Sequence, residues 1–335
     1  MIKISFLIPV YNVEKYICRC LDSVYSQIND FCEVILVDDG CTDSSGAICD
    51  EYKNKYPKQT FVYHKENQGA YPTRNYALDH SHGEYVWLLD PDDYIEDGII
   101  KKVFDNSHFQ NGDSDIITMG YQRFNNQEVQ KLENTYEGMP IISGREYLLT
   151  KEFNPYLWCN LYRKTFLVDK KLRFDDRLYS QGDWVFNIQA YMKAEKMLLT
   201  NYLCYHYFVG NPTSTLASHD EVHRKRNANN SMMAITDIYK ILKNTDDKEI
   251  YQVVKNRLDF SASGFIYSLF LCNFPIKDLK NYLNQLSEME IYPIKSTFQG
   301  KADLFRKFSN FRSLFFSICK IRNLVYPCYT ITKLL

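Results

Sequence analysis

Short apolar runs alternate with stretches of helical spacing through the first 120 residues. KISFLIPVY (3–11), EVILVDDG (33–40), TFVYHK (60–65), EYVWLL (84–89) and SDIITMGY (114–121) have strand length and polar or glycine borders. Between them, VEKYICRCLDSVYSQ (13–27) places Tyr16, Ile17, Cys20, Leu21 and Val24 on one helical face. TDSSGAICDEYKNKY (42–56) opens on capping residues, and GAYPTRNYALDHS (69–81) carries Pro72 in its first turn, where proline is tolerated. YIEDGIIKKVFDNS (94–107) reads as a further helix. This β-α-β-α order predicts a mostly parallel sheet with helices on both faces.

After a polar excursion at 122–140, helical patterns are predicted in SGREYLLTKEF (143–153), YLWCNLYRKTFLVDKKL (156–172) and SQGDWVFNIQAYMKAEK (180–196). TNYLCYHYFVG (200–210) alternates like a strand, and from about 219 the pattern is helical to the end. The expected division is 1–218, in halves 1–120 and 121–218, followed by a helical region 219–335.

Ligands of such sheets lie beyond the carboxyl ends of the strands. Three predicted strands end there in PVYN, VDDG and LDPDD. The last supplies Asp90, Asp92, Asp93 and Glu96 within seven positions. Asp90 and Asp92 share a face of extended chain, where two carboxylates suit a hard cation such as Mg²⁺ or Mn²⁺. The plainer reading is that these acids cap a helix start.

The motifs SFLIPVYNVEKYICRCLDSVYSQ, EVILVDDGCTDSSG, NQGAYPTRNYAL, GEYVWLLDPDDYIEDG and QGDWVFN, in this order, resemble glycosyltransferase family 2. The resemblance spans about residues 3–215. It implies a GT-A fold and an inverting, metal-dependent transfer of a hexose or amino sugar from a UDP-sugar to a glycan or lipid-linked glycan. Pro9, Val10 and Tyr11 would then line the base pocket. Asp38 and Asp39 would sit at the uracil, with Asp39 accepting from its N3–H, or would merely cap the next turn. Asn67, Gly69 and Arg74 would close over ribose, sugar or diphosphate, although Arg74 suits a structural ion pair as well. Asp90, with Pro91 beside it, would meet the nucleotide sugar, and Asp92 would bind the metal with Asp90 as a further ligand; His206 would ligate it or contact diphosphate, or be a packed residue of its aromatic strand. Asp183 would be the base, its structural alternative being the start of a helix. Trp158 and Trp184 are candidates for stacking on the acceptor or equally for the core, and Thr213 and Ser214 for touching phosphate. The sequence departs from the family pattern at Pro91, at Gly182, where an acid commonly precedes the base, and after the strand of alternating aromatics.

Composition narrows the alternatives. Net charge is −1, which argues against a nucleic-acid partner. The N-terminal MIKISFLIPVYN lacks the features of a signal peptide, and the ten cysteines show no paired spacing. A cytoplasmic protein with reduced thiols is expected. The tail 300–335 carries seven Lys/Arg against one acid, Asp303, with Phe305, Phe308, Phe311, Leu314, Phe315, Ile318 and Ile321 at helical spacing. Such a segment fits peripheral contact at the inner face of an anionic membrane, packing on its own domain, or a homodimer contact. The rival functions are a nucleotidyltransferase, which needs a glycine-rich basic phosphate loop that PVYNVEKY is not, and a non-catalytic nucleotide-sugar-binding protein.

Overall fold

The computed structural model describes residues 1–125, 129, 136–211, 221–271 and 274–332. The chain divides into two compact units, Met1–Ala217 and Ser218–Leu335.

Among the described residues the first unit is a mixed nine-stranded sheet flanked by helices: the strands of residues 4–88 pair in parallel as expected, and the later ones pair mostly antiparallel. In chain order its elements are β1 (Ile4–Val10), α1 (Ile17–Tyr25), β2 (Cys32–Asp38), α2 (Ser45–Lys55), β3 (Thr60–His64), α3 (Ala70–Asp79), β4 (Tyr85–Leu88), β5 (Tyr94–Ile95), α4 (Ile99–Phe104), α5 (Ser107–Asn111), β6 (Ile116–Phe124), β7 (Ile141–Ile142), α6 (Gly144–Thr150), β8 (Asn160–Arg163), α7 (Lys164–Asp169), α8 (Gly182–Lys193) and β9 (Met197–Phe208). Strand order is β3-β2-β1-β4-β8-β6-β9-β5, with β7 on β9. β1 and β2 are buried along their whole length, which is why both read as unbroken apolar runs. The register sets Val10 beside Asp38 and Asp38 beside His64, while Leu7 aligns with Leu88. The ends of β1, β2 and β4 therefore open on one edge.

Two expected helices are corrected. Residues 156–172 contain a 3₁₀ turn (Leu157–Cys159), strand β8 and the short α7. β8 lies antiparallel between β4 and β6, buried on both faces, so its apolar spacing carried no strand alternation. Tyr94–Ile95 is not the start of a helix but a two-residue strand on β9.

The second unit comprises α9 (Glu221–Lys243), α10 (Lys248–Leu271), α11 (Ile276–Glu288), α12 (Gly300–Asn310) and α13 (Arg312–Thr332). Part of the aromatic stripe expected at a membrane is consumed here by packing. Phe315 is fully buried, and Phe305 meets Tyr267 of α10 edge-on at 5.0 Å. Leu304, Phe311, Leu314 and Ile321 remain exposed. Among the described residues, no helix is long and apolar enough to cross a membrane.

Candidate active site

Beyond β4 the chain turns through Asp90, Pro91, Asp92 and Asp93. Asp90 presents Oδ1 to the Arg74 guanidinium at 2.6 Å, and its backbone N–H donates to the Tyr205 hydroxyl at 3.0 Å. Arg74 comes from α3 and is buried. Its other nitrogen reaches Asp183 Oδ1, in the first turn of α8, at 3.4 Å. One guanidinium thus ties two carboxylates that are 93 positions apart in sequence. Burial works against its charge, but Asp183 and Asp90 more than restore it and raise the arginine pKa.

Asp183 lies about one third exposed at this junction. Desolvation pushes its carboxyl up to about 6, the Arg74 charge restrains the rise and the Asp90 charge adds to it. The Gly182 N–H donates to the Tyr71 hydroxyl at 2.7 Å. A Cβ at position 182 would come within 2.6 Å of the Tyr71 ring. The tyrosine therefore fills the space in which a second acid would stand, and Asp183 is left as the lone carboxylate of its motif.

Asp92 accepts from Asn211 Nδ2 at 2.9 Å, and Arg19 donates to its backbone carbonyl at 2.7 Å. Arg19 itself is held over the rings of Phe124, Phe208 and Tyr94 at 4.9–5.3 Å. Burial and the neighbouring Asp90 charge raise the Asp92 pKa. Asp93 is fully buried and its pKa lies well above the ordinary carboxylate range, through burial first and then the charges of Asp92 and Asp90. Its Oδ1 accepts from the Phe208 N–H at 2.6 Å.

At the nucleotide end both aspartates are held by neighbouring loops. Asp38 accepts from the Cys41 N–H at 2.8 Å and pairs with His64 Nδ1 at 2.8 Å. Desolvation would raise its pKa, but these hydrogen bonds outweigh it and hold the carboxyl below its usual range. His64 is raised in turn, chiefly by Asp38. Asp39 is buried and accepts from the Gln68 and Gly69 N–H groups at 2.9 and 2.8 Å, and from the Lys65 ammonium. Both carboxylates are engaged by the protein, so their observed work is to shape the loops at 40–41 and 65–69. Gly69 sits at φ +95° with Asn67 exposed beside it, a conformation that favours glycine. Pro9 and Val10 are buried in β1, whereas Tyr11 is 49% exposed and available to a flat ring.

Three further expectations meet geometry directly. Trp158 is not an acceptor platform: it is 3% exposed, stacked on Tyr205 at 4.3 Å and on Tyr156 at 4.7 Å. Trp184 is half-buried next to Asp183. His206 directs Nε2 to Glu96 at 2.6 Å and stacks its ring on Tyr94 at 4.3 Å, while its buried Nδ1 has no hydrogen-bond partner among the described residues. Thr213 and Ser214 lie outside the described residues.

The donor set suits a hard divalent ion. Among the described residues no three His, Cys, Asp or Glu side chains converge. Asp90 and Asp92 nevertheless lie close enough for the charge of one to raise the pKa of the other, each holding one side-chain partner, Arg74 and Asn211 respectively. Burial first, and then the neighbouring aspartate charges, raise the pKa values of Asp92 and Asp93, and a bound cation would offset that penalty. Ions of this type keep open positions for water and phosphate oxygens.

The sheet order, the open edge and the aspartates at the end of β4 define an α/β domain of the GT-A type. Residues 5–169 match the model of Glycosyl transferase family 2, and this segment of the chain belongs to that family. It is 30% identical over 218 residues to glycosyltransferase GlyA of Streptococcus pneumoniae, covering 61% of this chain and 30% of that protein. It is 32% identical over 213 residues to a poly(ribitol-phosphate) beta-glucosyltransferase of Bacillus spizizenii, covering 62% of this chain and 32% of that protein. The chain thus matches about a third of the length of these two relatives. In fold it resembles the crystal structure of S. aureus TarS 1-349 in complex with UDP-GlcNAc, with a TM-score of 0.67 and 21% identity, over 97% of this chain and 92% of that one.

Proposed function

We propose that the chain is an inverting glycosyltransferase that moves a hexose or amino sugar from a UDP-sugar to a hydroxyl of a surface glycan. The Asp90–Arg74–Asp183 bridge is the observation that supports this reading most. It joins an acid on the donor side, through a buried cation, to a carboxylate whose acidity suits a general base near neutral pH. The relatives of known activity and the UDP-GlcNAc held by the structural neighbour support the donor class.

In the proposed reaction the Tyr11 ring receives the uracil, and the loop at Gly69 approaches the ribose or diphosphate. Asp183 takes the proton from the acceptor hydroxyl while the hydroxyl oxygen attacks the anomeric carbon. The bond from that carbon to the diphosphate oxygen breaks on the opposite face, and UDP leaves with the electron pair. Arg74 keeps Asp183 ionised and oriented before the acceptor arrives. Asp92 and Asp90 would hold Mg²⁺ or Mn²⁺, which when bound supplies positive charge to the leaving diphosphate. Trp184 would offer an apolar face to the acceptor ring. Exposed apolar positions and lysines of α12–α13 would bring the chain to an anionic membrane surface carrying a lipid-linked acceptor.

The direct test is a screen of UDP-sugars for UDP release with and without a polyol-phosphate or glycan acceptor. Release from none of them, with no UDP binding, sinks the assignment. Metal removal by EDTA is expected to weaken UDP binding about tenfold, with Mn²⁺ restoring it. Calorimetry with UDP alone would show this, and unchanged affinity would remove the metal from the proposal. Trp184→Ala is expected to raise the acceptor KM about tenfold with donor KM unchanged. An acceptor KM equal to wild type would leave Trp184 a packing residue.

A further inference from the structure

The helical unit contains an open cleft of about 760 Å³ between the middle of α10 and the segment 290–298 before α12. Its walls are built, and they are unlike an interior. Phe260 is 59% exposed and meets Phe298 edge-on at 5.4 Å, and Tyr251 is 38% exposed. Gln252 donates its side-chain amide to Asn256 Oδ1 at 2.8 Å. The Ser296 hydroxyl lies 3.0 Å from that same oxygen and 2.6 Å from Asp259 Oδ2. Asp259 is 1% exposed and neutralised by Lys255, so it fixes the serine without adding free charge to the cleft. Lys295 is exposed on the wall and has no carboxylate partner among the described residues, and Val253, Arg257, Glu290 and Thr297 complete the lining.

Exposed aromatic rings beside a row of planar amides and hydroxyls form the chemistry that holds sugars. The rings take the apolar faces of a pyranose, and the amides and hydroxyls exchange hydrogen bonds with its hydroxyl groups. A surface awaiting a protein would be more apolar at its centre. A nucleic-acid groove would carry more unpaired cations. The Lys295 ammonium adds a preference for a negative group.

We propose that this cleft is a carbohydrate-binding subsite for a short stretch of acidic glycan, with sugar rings on Phe260 and Tyr251 and an acid group at Lys295. The site is independent of the donor-site chemistry and would hold chain already made or chain awaiting extension.

The test is calorimetric titration of the full chain with hexagalacturonate, with maltohexaose as neutral probe and inorganic phosphate as a probe of simple ion binding. Wild type should bind hexagalacturonate more tightly than maltohexaose, and phosphate not at all. Phe260→Ala should weaken both oligosaccharides about tenfold. Because this side chain is largely exposed, the fold should survive, and UDP binding measured on the same sample should be unchanged. Lys295→Glu should abolish the preference for the acidic probe and leave maltohexaose as it was. No binding of hexagalacturonate by wild type, or equal binding by Phe260→Ala, overturns the site. An unaltered preference in Lys295→Glu, or saturable phosphate binding that matches the acidic probe, overturns its acidic specificity. A chain that binds no UDP but still shows the Phe260-dependent binding would separate failure of the donor reading from failure of this one.

Discussion

Asp183→Asn is expected to lower sugar transfer by about 10²–10⁴-fold, the range of a lost general base, while UDP affinity stays within about twofold. The substitution preserves shape, and an amide oxygen can still accept from Arg74. The alternative role for Asp183 is a favourable acid in the first turn of α8. Losing that would cost roughly 0.3–1 kcal/mol of stability and would leave an intact fold with near-normal turnover. The two roles therefore predict different measurements, kcat in one case and thermal midpoint in the other. The pH profile gives a second check. The base must be ionised, and with its pKa near 6 the wild-type kcat/KM should fall about tenfold per pH unit below that point. Desolvation sets this limb first, and the charges of Arg74 and Asp90 then move it down and up respectively. A flat profile down to about pH 4.5 would point to an ordinary surface carboxylate.

What the sequence made legible follows from local physics. β1, β2 and β4 are buried runs bounded by polar turns, and their ends carry the acids, so both the order of elements and the open edge were readable. β8 escaped because burial on both faces erased its alternation and left a spacing that suits a helix equally well. Site chemistry was legible by residue type and not by partner. Asp39 reads as a free acceptor in VDDG, yet Lys65 and two loop N–H groups reach it from 26 to 30 positions away. His206 reads either as a packed residue of an aromatic strand or as a ligand, and its contacts with Glu96 and Tyr94 could not be read from the sequence. The role of Tyr71 had a signal: Gly182 stands where an acid is common, and a missing side chain implies that another group occupies the space.

Arg74→Leu should be the second most damaging change, lowering kcat/KM about 10²-fold, the lower end for loss of one preorganised charge. It should also reduce stability by about 2 kcal/mol, because hydrogen bonds to two carboxylates are lost together. The pH dependence makes the result specific. Arg74 holds the Asp183 pKa down, so removing it should move the acidic limb of the rate profile above 6. In the variant the folded-state pKa of Asp183 then lies further above its unfolded value. The folded chain binds the extra proton between those two values, so stability is greater at low pH and is lost as pH rises through that window. Urea unfolding at about pH 5 and about pH 8 should therefore show a smaller deficit, relative to wild type, at the lower pH. Arg74→Lys should recover part of the rate, since a cation returns without the two-pronged geometry that now reaches both aspartates. An equal stability deficit at both pH values, together with an unmoved acidic limb, would mean that the guanidinium is structural filler and that Asp183 is tuned by something else.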